Sequence, residues 1–117
     1  MKRSTTRHYL GKPVFVQIDR PFGALHPEHG FVYELNYGFV PGTIAEDREA
    51  QDAYILGVFE PLKEFTGVCI AVIERINDEE DKLILAEVGK CFQDDEILEQ
   101  VHFQEQFFTI KLVRNIA

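Results

Sequence analysis

The chain has 117 residues, 45% of them hydrophobic and 12% aromatic, with ten Phe and no Trp. That length and composition describe one globular domain, residues 1–117, and exclude a disordered or fibrous chain. A formal net charge of −8 repels polyanions, and the clustered Lys and Arg that counterion release requires are missing, which argues against nucleic acid and anionic membranes as partners.

No apolar run approaches the ~20 residues of a membrane span, and no apolar signal stretch follows the basic, polar Met1 to Arg7. Cys69 and Cys91 lack a CxxC spacing and have apolar neighbours. Both are expected to be buried free thiols in a reducing cytoplasm.

The first predicted strand is Pro13 to Asp19, where Val14, Val16 and Ile18 alternate with Phe15 and Gln17. Arg20 to Gly30, with two prolines and two glycines, reads as a loop or wide turn. Phe31 to Val40 is aromatic and β-branched, with Gly38 marking a bulge or a close backbone approach. After the polar, acidic stretch Pro41 to Gln51 come strongly apolar strands at Asp52 to Phe59, Val68 to Ile76 and Lys82 to Val88. The last two flank the acidic loop Asn77 to Asp81 and suggest a hairpin. Asp94, Asp95 and Glu96 favour a helix N-terminus. Ile97, Val101 and Phe108 can share one face of that helix, whereas Phe103 and Phe107 lie off it; Thr109 to Val113 reads as a final strand. The fold class is therefore mainly β (α+β): a small antiparallel, OB-like β-barrel with one C-terminal helix.

Two acidic clusters precede apolar strands, Glu46, Asp47, Glu49 and Asp52 in one, and Asp78, Glu79, Glu80 and Asp81 in the other. In an extended chain Asp47 and Glu49 share a face about 6.6 Å apart, and Asp52 has the opposite parity, so a bulge or turn is needed for all three to converge. If they converge, hard oxygen ligands with no adjacent His or Cys favour Mg²⁺ or Mn²⁺ over Zn²⁺. The bland alternative is a solvated acidic surface. It suits the second cluster better, because Asp52 abuts a core strand.

The run Tyr33-Glu34-Leu35-Asn36-Tyr37-Gly38-Phe39-Val40-Pro41-Gly42-Thr43, followed by Asp47-x-Glu49-x-x-Asp52, resembles the soluble (family I) inorganic pyrophosphatases. Those enzymes carry Y-P-x-N-Y-G-[FY]-[IV]-P-x-T leading into D-x-D-P-x-D and an apolar strand. The likeness extends more loosely through Gln17 to Asp19, Gly23 to Leu25 and Asp78 to Ala86. It implies Mg²⁺-dependent hydrolysis of inorganic pyrophosphate to two phosphates by metal-activated water, with Mn²⁺ as an alternative ion. On that mapping Asp47, Glu49, Asp52 and Asp78 are metal ligands, joined by Asp81 or Glu80. Asp47, Asp52 and Tyr37 serve catalysis, and Lys82, Tyr33 and Arg20 bind substrate.

The departures from the family pattern fall mostly on cations. Glu49 replaces an Asp and extends the side chain by about 1.5 Å, and Ala50 stands where a Pro is expected. Phe15 and Gln17 occupy the positions of a Lys-x-Glu pair, and Phe107 and Phe108 those of a Tyr-Lys phosphate pair; Lys111 is out of register. The family's phosphate-clamping arginine has no counterpart, which leaves Arg20 to substitute by reaching in. His26 and His29 read as solvent-facing loop residues. A second reading is therefore a degenerate pyrophosphatase-fold module that holds a metal or phosphorylated ligand without turnover. A third is an interaction protein whose apolar strands and Phe-rich C-terminal region form a homo-oligomer surface.

Overall fold

A computed structural model describes residues 4–43, 50–76 and 80–114. Within them a single helical turn, α1 (Ser4–Arg7), precedes strands β1 (Pro13–Arg20), β2 (Asn36–Val40), β3 (Gln51–Ile55), β4 (Glu64–Arg75) and β5 (Lys82–Ala86). Helix α2 (Asp94–Glu105) and strand β6 (Ile110–Arg114) follow. The sheet order is β1-β2-β3-β5-β4-β6, and a further β1–β4 pairing closes the first five strands into a barrel. All pairings are antiparallel except β3–β5. The expected barrel with a C-terminal helix is what the chain forms.

Period-2 alternation explains the two cores. Val14 and Val16 of β1, Ala53 and Ile55 of β3, and Leu83 and Leu85 of β5 point into the barrel. Residues of opposite parity, Tyr54, Ile73 and Ile84, meet Ile97 and Val101 of α2 on the outer wall. Strand β5 is buried on both faces, which explains its nearly unbroken apolar run and why it reads as a strand without alternation.

Several boundaries differ from the sequence expectation. Strand β2 begins only at Asn36; the chain before it is held by an isolated bridge between Leu25 and Val32. Strand β3 stops at Ile55 because Gly57 takes a φ of 81°, outside the range a continuing strand uses. Strand β4 starts earlier, at Glu64, where its N-terminal half pairs with β1 and its C-terminal half with β6. Phe103 is buried, contrary to its expected place off the helix face, because the aromatic residues before β2 fold over the end of α2. Phe108 lies beyond the helix. Of the two thiols, Cys69 is buried, and burial pushes its pKa up to about 12. Cys91 is exposed, because it sits in the polar connection between β5 and α2 rather than on a strand.

Two motif residues hold the wall in place. The Asn36 side-chain carbonyl accepts from the backbone N–H of Phe22 and Leu62, and its amide donates to the carbonyls of Val58 and Glu60. One buried side chain thus ties three chain segments together, which makes it structural. Gly38 is the close approach expected from sequence, since a Cβ there would lie 2.1 Å from the Gln17 carbonyl oxygen. Next to it, β1 shifts register between Ile18 and Arg20. Because the obstacle is backbone, Gly38→Ala is expected to cost about 3 kcal/mol. In urea the unfolding midpoint should fall at unchanged m-value; an unchanged midpoint would show that β1 yields freely.

Candidate active site

The outer barrel wall presents polar residues because strand parity places them there. The parallel β3–β5 pairing sets Asp52 directly opposite Lys82, and Tyr37 opposes Tyr54 across β2–β3. Lys82 Nζ donates to Asp52 Oδ2 at 2.7 Å and to Glu80 Oε1 at 2.9 Å. The ammonium also lies 5.5 Å from the centre of the Tyr37 ring. Burial, reinforced by the Asp52 carboxylate, raises the Tyr37 pKa well above its usual value, so its phenol stays protonated and able to donate.

These side chains form the floor of a cavity of about 570 Å³. At its rim stand Asp19 and Arg20 from the end of β1, with His26 and His29 from the following loop. Partial desolvation raises the Asp19 pKa; Arg20 opposes the shift, and nearby Asp52 adds to it. His26 Nδ1 accepts from the backbone N–H of Glu28 and of His29, both at 3.1 Å. Desolvation, with His29 nearby, lowers the His26 pKa and favours the neutral ring, whose proton is then on Nε2.

The side of the cavity toward α2 is built on a buried polar chain. Tyr33 donates to Gln104 at 2.8 Å, Gln104 to the Tyr54 hydroxyl at 2.7 Å, and Tyr54 to Glu105 at 2.6 Å. Glu105 receives Arg75 through two nitrogens, at 3.0 and 2.7 Å. The Arg75 guanidinium also lies 3.6 Å from the centre of the Phe108 ring and reaches Glu80 at 3.5 Å. Burial by itself would lower the Arg75 pKa, but Glu105 outweighs it and the group stays a cation. Arg75, Glu80 and Lys82 therefore connect the helix network to Asp52.

No family model matches the chain. An inorganic pyrophosphatase of Caulobacter vibrioides is 37% identical over 51 residues, which is 40% of this chain and 29% of that protein. The inorganic pyrophosphatase of Ehrlichia chaffeensis superimposes with a TM-score of 0.67 at 16% identity, over 87% of this chain and 85% of that one. The fold is that of the inorganic pyrophosphatases. The Helicobacter pylori inorganic pyrophosphatase agrees, with a TM-score of 0.65 at 18% identity over 88% and 85% of the two chains. The likeness foreseen from the NYGF run thus extends to the architecture of most of this chain.

On the pyrophosphatase fold, Tyr33, Tyr37, Asp52, Lys82 and Arg20 all line the one cavity. Asp47, Glu49 and Asp78 lie outside the described residues. Of the two alternatives in the second acidic cluster, Glu80 lines the cavity and Asp81 does not. Asp81 is buried elsewhere, where its charge acts on Arg7. Strand alternation carried back from Lys82 signals this placement, because Glu80 shares the parity of Lys82. His29 is exposed, as expected, and His26 half-buried; both also stand at the cavity edge, because their loop folds over the end of α2. Asp19, Arg75, Gln104 and Glu105 were not singled out for the site. Only Asp19, within the looser upstream likeness, carried any signal.

Among the described residues no three acidic, His or Cys side chains gather closely enough to hold a metal ion by themselves. The carboxylates that do face the cavity, Asp19, Asp52 and Glu80, offer only oxygen. Those oxygen donors suit a hard divalent cation, while His26 and His29 add imidazoles at the edge of the same cavity.

Proposed function

We propose that the cavity binds inorganic pyrophosphate and hydrolyses it to two phosphates with Mg²⁺, or Mn²⁺ in its place. The observation carrying this reading is the convergence of Tyr37, Asp52 and Lys82 on one wall, with Arg20 at the rim, in a pyrophosphatase fold. The chain matches less than a third of its Caulobacter relative, so the activity rests on this site. Water's oxygen bonds to one phosphorus, the bridging P–O bond breaks, and the second phosphate leaves with the bridging oxygen. When bound, the metal neutralises phosphate charge and activates water. Asp52 would hold it, together with Asp47 and Glu49 of the motif and Asp78 of the second acidic cluster. Lys82, Arg20 and the protonated Tyr37 bind and orient phosphate oxygens. The substrate and setting implied are those of cytoplasmic phosphate metabolism. No described helix is long and apolar enough to cross a membrane.

The test is phosphate release from pyrophosphate with Mg²⁺ or Mn²⁺, for the natural chain and Asp52→Asn. Measurable turnover that falls tenfold or more in the variant is expected. Absent turnover, or turnover indifferent to the change, sinks the proposal. A second reading is favoured by the existing ion pairs of Lys82 and Arg75: the site holds a phosphoryl ligand without turning it over. Calorimetric binding of pyrophosphate in the absence of turnover would select it.

A further inference from the structure

Deepening the preceding proposal and resting on it, we infer that the phosphoanhydride this site takes carries a nucleobase: a nucleoside di- or triphosphate, with its base on the aromatic rim formed by His29, Phe31 and Phe107. Three features of the cavity support this.

The first is size. About 570 Å³ falls within the roughly 300–1,000 Å³ of pockets that enclose an organic ligand, whereas pyrophosphate alone is far more compact. The second is polarity. The lining combines charged groups, among them Asp52, Lys82 and Arg20, with the rings of His29, Phe31 and Phe107. Pyrophosphate is anionic over its whole surface and gains nothing from an apolar wall. A nucleotide carries both a charged group and a flat, aromatic one, and this cavity lines itself with partners for each.

The third is the arrangement of the rings. The centroids of His29 and Phe107 are 6.1 Å apart, those of Phe31 and Phe107 5.9 Å, and those of His29 and Phe31 6.2 Å. Their planes lie within 28°, 23° and 8° of one another. Phe107 nonetheless remains 61% exposed. A large apolar ring left in water beside parallel partners at a cavity mouth has surface to gain from a stacked base. Phe31 and Phe103, which pack edge to face at 5.9 Å, hold this rim against α2. The Phe at 107 that removes a phosphate contact on the family's pattern thus supplies a stacking face in its place.

The experiment uses the full chain with Mg²⁺ and two non-hydrolysable probes, methylenediphosphonate and α,β-methylene adenosine diphosphate, titrated calorimetrically. The natural protein is expected to bind the nucleotide analogue at least tenfold more tightly. Phe107→Ala should abolish that preference, about the worth of one base stack, while methylenediphosphonate affinity changes less than twofold. Because the chain has no Trp, Phe107→Trp installs a single indole at the rim; its fluorescence should be quenched by the nucleotide analogue and not by methylenediphosphonate. Equal affinity for the two probes, or equal weakening of both by Phe107→Ala, overturns the nucleobase site and leaves the pyrophosphate reading standing. Failure of both probes to bind removes both proposals together.

Discussion

Glu105→Ala is expected to destabilise the fold by about 3–5 kcal/mol, the usual result of removing one partner from a buried ion pair. Glu105 is 2% exposed and Arg75 4% exposed, so neither charge can turn to bulk water. Glu105 accepts three hydrogen bonds, two from Arg75 and one from Tyr54. Alanine leaves the Tyr54 hydroxyl without its acceptor. Arg75 loses both of its bonds to Glu105 and retains its contact with Phe108 and the longer one to Glu80. Against a typical domain stability of about 5–15 kcal/mol, that is a large fraction. Urea denaturation followed by circular dichroism should show the loss as a lower midpoint. The double change Arg75→Met with Glu105→Leu removes both charges and should recover most of it, since apolar replacement of a whole buried pair is often neutral. A drop below about 1 kcal/mol in the single variant would mean that water reaches the pair.

The same pair shows where the sequence stops being legible. Glu105 and Arg75 lie 30 positions apart, Arg75 at the end of an apolar strand and Glu105 at the end of a helix, and no local pattern links the two. Helix α2 buries Gln104 and Glu105 beside Ile97 and Val101. Its apolar stripe is weak for that reason, and the placement of Phe103 could not follow from periodicity. By contrast, features with a local physical signature were readable: the alternation of β1, the crowding at Gly38, the acidic start of α2, and Asp52 entering a core strand. Within the site, the residues of the NYGF stretch, with Asp52 and Lys82, were legible through the family resemblance, whose motifs are short and local in sequence. The cavity's cationic and aromatic edges depend on how a loop folds over the end of α2, and no local pattern encodes that. Arg75, from β4, returns one guanidinium to the wall, although Glu105 already neutralises most of its charge.

Lys82 should behave in the opposite way to Glu105, with a small effect on stability and a large one on turnover. Lys82→Met keeps the apolar stem packed in a site where the side chain is 2% exposed and removes only the ammonium. Its carboxylate partners are accessible to water, Asp52 at 28% and Glu80 at 40% of their side-chain surface. Losing the ammonium therefore leaves carboxylates that water already reaches and strands no charge in the interior, so the cost stays well below the roughly 3–5 kcal/mol of breaking a fully buried pair. In the proposed reaction the ammonium, already fixed by Asp52 and Glu80, would meet a phosphate oxygen before charge develops. Removing one such pre-placed donor typically costs about 10²–10³ in kcat. Pyrophosphate hydrolysis by Lys82→Met is thus expected to fall by about 10²–10³ while the urea midpoint hardly moves. Single-turnover measurements should show a slower chemical step as well as weaker pyrophosphate affinity. Unchanged turnover would reduce Lys82 to a clamp between β3 and β5. Matched losses of stability and activity would mean that its charge serves the fold alone.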